Sequence, residues 1–250
     1  MIMFTKKTTI LLFFFFFLIP LIIFSQKSKD TEIWEPKPNE VYSSSDSLPP
    51  DDAIILFDGL NLSKWKAKWS DKDSGWQIND DGSVTVVFDG SGGIETKENF
   101  GSVQLHIEWK TSEDTSHKNQ SRSNSGVFLQ NRYEIQILDS YKSPTYVNGQ
   151  AGSVYKQYIP LVNASRKPGE WQSYDIIFDA PKFDSDQNKI QSGYFTVFHN
   201  GILIHNHVEI LGTTENVGPP KNIAHGDGPI SLQNHCCSQV SFRNIWVRKL

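Results

Sequence analysis

Short runs of β-branched and aromatic residues recur from residue 51 to residue 250, and each run ends at Gly, Asn, Asp or Pro. Nowhere do apolar residues keep the three-four spacing of a substantial helix. The pattern predicts about a dozen strands and no crossover helices, which indicates an all-β fold, an antiparallel two-sheet sandwich formed as one domain. The expected strands are 53–57, 75–78, 83–88, 103–110, 126–130, 133–138, 152–155, 171–178, 194–199, 202–205, 230–233 and 240–248.

The clearest local signal is a hairpin in the segment YFTVFHNGILIHN. Asn200 and Gly201 separate two alternating runs, and Asn-Gly is the preferred pair for a type I′ turn. We therefore expect strands 194–199 and 202–205 to pair directly.

The amino terminus has the pattern of a secretory signal peptide. Lys6 and Lys7 precede an apolar run over 10–24, and the small residue Ser25 follows. The run is shorter than the roughly 20 residues of a membrane span. We predict a cleaved signal at 1–25, secretion or export to the periplasm, and no stable membrane insertion afterwards.

Residues 26–50 are rich in Ser, Pro and charge, without apolar periodicity. This composition is typical of a flexible linker. The predicted folded domain is therefore 51–250.

The charge balance and the cysteine content exclude several classes of protein. The chain has 24 basic and 28 acidic side chains, a net charge of −4, so no basic excess is available to neutralise a nucleic acid. Two cysteines exclude a disulfide scaffold and a four-cysteine zinc site. They are adjacent, at Cys236 and Cys237, and we expect free or surface thiols because a bond between neighbours needs a strained ring.

Alternation predicts a polar face on three strands, 103–110, 133–138 and 230–233. Their apolar residues point one way, whereas Glu, Gln and His side chains point the other way. Two interpretations stay open at this point. The face is either the ordinary solvent side of an antiparallel sheet, or a concave surface whose amides and carboxylates bind a polyhydroxylated ligand.

A carboxylate motif occupies the middle of this pattern. Glu134, Gln136 and Asp139 resemble the Glu-x-Asp-x-x-Glu frame of laminarinase-type glycoside hydrolases, in which two carboxylates act as nucleophile and acid/base. Gln136 replaces the central Asp of that frame, and Asp139 replaces its last Glu. Both departures weigh against simple retaining hydrolysis.

Many segments in order carry a more specific resemblance. They are LFDGLNLSKW (56–65), GWQINDDGSV (75–84), NSGVFLQ (124–130), YEIQILDS (133–140), AGSVY (151–155), KPGEWQSYDI (167–176), HNGILI (199–204) and GPISLQNH (228–235). Over about 53–250 the chain resembles the bacterial 3-keto-disaccharide hydrolase domain, found in exported proteins of Bacteroidetes and Planctomycetes. The resemblance implies a concanavalin-like jelly roll. It also implies cleavage of 3-keto-glycosides by a 1,2-lyase reaction, or hydration of the resulting keto-glucal.

The resemblance also implies roles for individual residues. His235 would be the catalytic base, and Glu134 and Gln136 would hold substrate hydroxyls or a divalent cation. Glu134 and Asp139 are further catalytic candidates, and the other substrate-binding candidates are Glu108, Asn124, Tyr155, Lys156, Gln233 and Arg243. The family continues Leu-Gln-Asp-His-Gly where this chain has Asn234 and Cys236, which changes the loop around His235.

Two alternatives to the lyase remain. One is a non-catalytic module that binds glycans on the same sandwich, since jelly rolls serve both purposes. The other is a carboxylate glycoside hydrolase that uses Glu134 and Asp139. In each case the expected partner is an oligosaccharide or glycoside.

Overall fold

The computed structural model describes residues 27–43, 48–88, 90, 92–235, 237 and 239–250. Internal contacts divide the chain into two units, residues 1–40 and 41–250. In the first unit, the described residues form one 3-10 turn, Ser28–Thr31, and their side chains are exposed. The predicted signal peptide at 1–25 lies outside the described residues.

The second unit is all-β, and its strands are β1 (Ile54–Phe57), β2 (Trp65–Ala67), β3 (Gln77–Ile78), β4 (Val84–Thr85), β5 (Gly93–Phe100), β6 (Val103–Thr111), β7 (Ser125–Leu129), β8 (Tyr133–Ile137), β9 (Gln172–Asp179), β10 (Lys182–Phe183), β11 (Lys189–Gln191), β12 (Tyr194–His199), β13 (Ile202–Glu209), β14 (Gly228–Gln233) and β15 (Val240–Lys249). Two short 3-10 turns, Asn119–Ser121 and Val147–Gly149, interrupt the loops. No helix among the described residues is long and apolar enough to cross a membrane.

The strands form two large antiparallel sheets. The eight-stranded sheet has the order β13-β12-β9-β6-β15-β4-β3, with β1 paired to β15, and the five-stranded sheet has the order β2-β5-β14-β7-β8. A small hairpin of β10 and β11 stands apart from both. The fold is an antiparallel two-sheet sandwich of the jelly-roll type, as the sequence predicts.

The core lies between the two sheets, because each sheet turns one apolar face inward. Along β6 buried and partly exposed residues alternate without a break, so Leu105, Ile107 and Trp109 face inward. They join a single cluster that also contains Val127 of β7 and Ile135 of β8 from the other sheet. Each large apolar side chain buried in this way contributes about 1.5–3 kcal/mol to stability.

The predicted hairpin is confirmed. His199 of β12 pairs with Ile202 of β13, and the two turn residues have positive φ values, 54° at Asn200 and 76° at Gly201. A type I′ turn requires positive φ at both positions, which Asn and Gly tolerate best.

Some strand predictions are wrong. Residues 152–155 form no strand, since Val154 makes only isolated bridges to Ile135 and Tyr158. Strand β5 was not predicted, because its polar stretch hides the alternation and because Glu95 is buried despite its charge.

The expectation of a polar face shared by three strands is also wrong. Strands β8 and β14 belong to the five-stranded sheet, but β6 lies in the eight-stranded sheet. The polar side chains of β6 therefore lie on the outer face of the opposite sheet. Sequence alternation assigns a face to each strand but does not say which strands are neighbours.

The expectation of free thiols is wrong for Cys237, which is disulfide-bonded. Its backbone φ is 93°, in the left-handed region that most residues avoid. Cys236, the other cysteine of the chain, lies outside the described residues.

Candidate active site

A cavity of about 320 Å³ opens on the five-stranded sheet. Strands β7, β8 and β14 form its base, and four loops complete its wall. The residues that line it are Asn124, Phe128, Glu134, Gln136, Tyr155, Thr214, Asn216, Gln233 and His235. Six of the predicted site residues therefore meet in one cavity: Glu134, His235, Gln136, Asn124, Tyr155 and Gln233.

Glu134 is the buried acid of this cavity. It pairs across the sheet with Phe128, and its carboxylate lies over Gly126, where a Cβ atom would come within 2.2 Å of Oε1. Burial raises the pKa of Glu134 to about 8, although Lys68 and Lys156 act in the opposite direction. The side chain is therefore largely protonated at neutral pH, and it can donate a hydrogen bond.

A group of amides surrounds the carboxyl. With its amide nitrogen turned toward Glu134, Gln136 donates to Glu134 Oε1 (3.0 Å) and to the Ser125 carbonyl (3.2 Å). Asn124 Nδ2 donates to the Gln120 carbonyl at 2.8 Å. Amide and carboxyl groups that converge in this way can recognise neighbouring hydroxyls of a sugar.

A second tyrosine, Tyr146, and a lysine, Lys156, lie against Tyr155, which lines the cavity. The hydroxyls of Tyr146 and Tyr155 lie 2.6 Å apart. Burial, together with the bond to Tyr146, raises the pKa of Tyr155, so its hydroxyl stays protonated at neutral pH. Lys156 does not line the cavity, but its Nζ donates to the carbonyl and to Oδ1 of Asn216, which does.

His235 reaches the cavity from the loop that follows β14. Just before that loop, the carbonyl of Gln233 accepts a hydrogen bond from Ser125 Oγ of β7 at 2.7 Å. This contact fixes the end of β14 beside β7, and so it sets the start of the segment that carries His235. The cavity therefore has an imidazole and a largely neutral carboxyl on its wall.

Asp139 lies outside the cavity lining. Its Oδ2 accepts from Arg122 Nε at 2.6 Å, and its Oδ1 accepts from the Tyr141 N–H at 3.1 Å. It is buried and bound on both oxygens. The structure therefore does not bring Glu134 and Asp139 together as a carboxylate pair across a substrate.

Glu108 and Arg243 lie on the other sheet. Arg243 Nε donates to Glu108 Oε2 at 2.6 Å, across the β6–β15 pairing. They share an outer groove of about 260 Å³, lined by His106, Glu108, Arg166, Trp171, Gln172, Ser173 and Arg243. Both were predicted to bind substrate beside Glu134, and the structure does not bring them there.

Sequence reasoning missed Phe128, Thr214 and Asn216 as lining residues. Thr214 Oγ1 accepts from the Glu134 N–H at 3.0 Å, and Asn216 holds Lys156. Phe128 follows the expected alternation of its strand, so its position in the cavity could be predicted once the pairing of the strands was known. Thr214 and Asn216 lie in a loop, where no periodicity shows which side chains turn toward the site.

A divalent cation in this cavity stays a prediction, because the lining offers one carboxyl and one imidazole among amides, hydroxyls and Phe128. Divalent cation sites use several oxygen or nitrogen ligands, chiefly carboxylates and imidazoles. In the described part of the chain, no group of three or more His, Cys, Asp or Glu residues is placed to hold a metal ion. We therefore derive no step through a cation.

The jelly-roll sandwich and its polar cavity define a class, the carbohydrate-active β-sandwich proteins. The profile of the 3-keto-α-glucoside-1,2-lyase-like domain matches residues 52–248, and the chain belongs to that family. No curated protein matches the chain.

Solved structures agree with this assignment. A crystal structure of a candidate glycosyl hydrolase from Parabacteroides distasonis ATCC 8503 is 46% identical, with a TM-score of 0.85, and the match covers 90% of this chain and 97% of that one. A second candidate glycosyl hydrolase of that organism, at 23% identity and a TM-score of 0.56 over 79% and 99% of the chains, shares the fold. The family and the 46% identical relative support a carbohydrate-active enzyme of the glycosidase type.

Proposed function

We propose that this protein cleaves 3-keto-glycosides by removing the proton at C2 and breaking the bond between C1 and the leaving-group oxygen. The observation that carries the proposal is that a buried carboxyl, Glu134, and an imidazole, His235, line the same polar cavity. Membership of the 3-keto-α-glucoside-1,2-lyase-like family supports the choice of substrate.

The chemistry explains why such a pair is useful. A ketone at C3 makes the C2 proton acidic, so a side-chain base can remove it and leave an enolate. The enolate electrons then expel the C1 substituent, which leaves as an alcohol after protonation. The site needs a base, a donor for the C3 oxygen and a proton for the leaving group.

We assign the base to His235 and the donor to Glu134. A neutral carboxyl donates a strong hydrogen bond to the C3 oxygen as negative charge develops on it, in the way that buried neutral acids act in other enolate-forming enzymes. The imidazolium formed on His235 can return its proton to the leaving oxygen. Gln136, Asn124 and Gln233 would bind the sugar hydroxyls.

The same groups can hydrate the keto-glucal product. Addition of water to its C1–C2 double bond is the reverse of the elimination with water in place of the alcohol. The two reactions in sequence give net hydrolysis. We also propose that the enzyme acts after export, in the periplasm or outside the cell, because residues 1–25 have the signal-peptide pattern.

The test uses the purified protein with a chromogenic 3-keto-glucoside and with its unoxidised parent, each with and without EDTA. We expect release from the keto compound alone. His235→Ala should abolish that release, while His117→Ala, which removes a histidine outside the cavity lining, should leave it unchanged.

The other outcomes separate the alternatives. Release from the unoxidised parent would favour a glycoside hydrolase. Sugar binding without release from either compound would favour a glycan-binding module. Loss of release in EDTA would show that a metal ion takes part.

A further inference from the structure

Trp69 is a large aromatic side chain that the fold leaves uncovered. It lies two residues after the end of β2, and 76% of its surface is exposed. Its backbone φ is 57°, a left-handed conformation that costs a bulky residue energy. Neither burial nor a relaxed backbone explains why a tryptophan occupies this position.

Two neighbours fix the position of the indole. Lys68 Nζ lies 4.7 Å from the centroid of the Trp69 ring. On another side, a Cβ atom at Gly92 would come within 3.3 Å of Trp69 Cζ3, and Gly92 has a φ of 75°. A residue without a side chain therefore lets the ring lie against the backbone.

The same lysine connects Trp69 to the cavity. Lys68 Nζ also lies 4.7 Å from the centroid of Phe128, which lines the cavity. The ammonium group thus contacts both rings, one at the cavity wall and one in solvent. Lys68 is itself buried, and that burial lowers its pKa. Trp69 is therefore an exposed aromatic surface that one lysine side chain links to the wall of the cavity.

We propose that Trp69 is the platform on which the leaving group of the substrate stacks, and that this leaving group is a second sugar ring. The proposal rests on the proposed function. At about 320 Å³ the cavity is near the lower limit of small-ligand pockets, which suits one hexose, so we place the ring beyond the scissile bond outside it. Sugar rings present an apolar face of C–H groups that packs on an indole.

Two substrates separate this contact from the chemistry. A 3-keto-disaccharide carries a ring as its leaving group, whereas methyl 3-keto-glucoside carries only methanol. In Trp69→Ala we expect kcat/KM for the disaccharide to fall about tenfold and kcat/KM for the methyl glycoside to change less than twofold. Trp69→Phe should recover most of the loss.

Trp34→Ala is the matched control, because Trp34 is also 76% exposed but lies in the unit of residues 1–40. It should leave both substrates unaffected. An equal loss on the two substrates, or no loss on the disaccharide, would overturn the proposal.

Binding of the unoxidised disaccharide, measured by calorimetry, keeps the two proposals distinguishable. If the unchanged protein fails to turn over either keto substrate, the proposed function is wrong. A lower affinity of Trp69→Ala for the disaccharide would then still support the platform. An unchanged affinity, or no binding by the unchanged protein, would reject it.

Discussion

Glu134 shows how one side chain couples activity to stability. In the unfolded chain a glutamate ionises near pH 4.5, but in the folded protein its pKa is about 8. Between these values the unfolded state gains from ionisation while the folded state does not, so stability falls as pH rises through that range. Glu134→Gln should therefore be more stable than the unchanged protein by roughly 2–4 kcal/mol at pH 8, and equally stable at pH 4.

Urea unfolding at the two pH values tests this expectation. We also expect kcat/KM to fall above pH 8, where Glu134 ionises and can no longer donate a hydrogen bond. Glu134→Gln keeps a neutral donor, so that fall should disappear even if the overall rate is lower. A fall with the same midpoint in the variant would assign the titration to another group.

Gly126 is the residue that makes room for this carboxyl. An alanine Cβ at that position would lie 2.2 Å from Glu134 Oε1, and the flexible carboxyl rather than the backbone would have to move. A displacement of about 1 Å at a reacting group lowers activity about 100-fold, so we expect Gly126→Ala to lose that much kcat/KM. The cost in stability should stay within about 1–3 kcal/mol, as for other overpacked sites.

Gly226→Ala is the control, because nothing lies within 4 Å of a Cβ at that position. It should leave activity and melting temperature unchanged. A fully active Gly126→Ala would show that the position of Glu134 over Gly126 is not required for catalysis.

At the scale of the strands, β6 and β9 are linked by a charged pair on the outer face. His106 Nδ1 lies 2.6 Å from Asp175 Oδ1. Burial alone would lower the pKa of His106, but Asp175 and Glu108 outweigh it and raise that pKa to about 9. The stability that this pair contributes is present in full below pH 6.5 and is lost as pH rises through 9.

His106→Gln should therefore lose roughly 2 kcal/mol of unfolding free energy at pH 6, a value reduced because Asp175 is partly exposed. Above pH 10 the variant and the unchanged protein should be equally stable. The double-mutant cycle with Asp175→Asn isolates the pair. If the stability difference between His106→Gln and the unchanged protein does not depend on pH, His106 stabilises by packing on Trp246, with which it stacks.

The strands also show what the sequence can and cannot predict. The alternation of β6 and the Asn200–Gly201 turn were predictable, because each is a local pattern. That Glu108 lies on the opposite sheet from Glu134 was not predictable, since it depends on which strands pair over more than a hundred residues. The resemblance of whole segments supplied six lining residues, but it also placed Asp139, Glu108 and Arg243 beside them.

At the scale of the whole molecule, an ion pair joins a residue near the start of the second unit to a residue near its end. Arg248 of β15 makes two hydrogen bonds to the Asp52 carboxylate, at 2.7 and 2.6 Å, next to the pairing of β1 with β15. In contrast, the described residues of the first unit have exposed side chains. A chain that begins at Val41 should therefore keep its melting temperature within about 2 °C and its activity.

A chain that begins at Ala53 should melt at a lower temperature, because it lacks Asp52 and leaves Arg248 without its bidentate partner. Asp52→Asn in the chain that begins at Val41 removes the charge of Asp52 but keeps residues 41–52. If the pair matters, this variant should reproduce most of the decrease, and the decrease should diminish at high salt, because Asp52 and Arg248 are both partly exposed. Equal melting temperatures for all three proteins would place the stabilising contacts of the boundary within β1 itself.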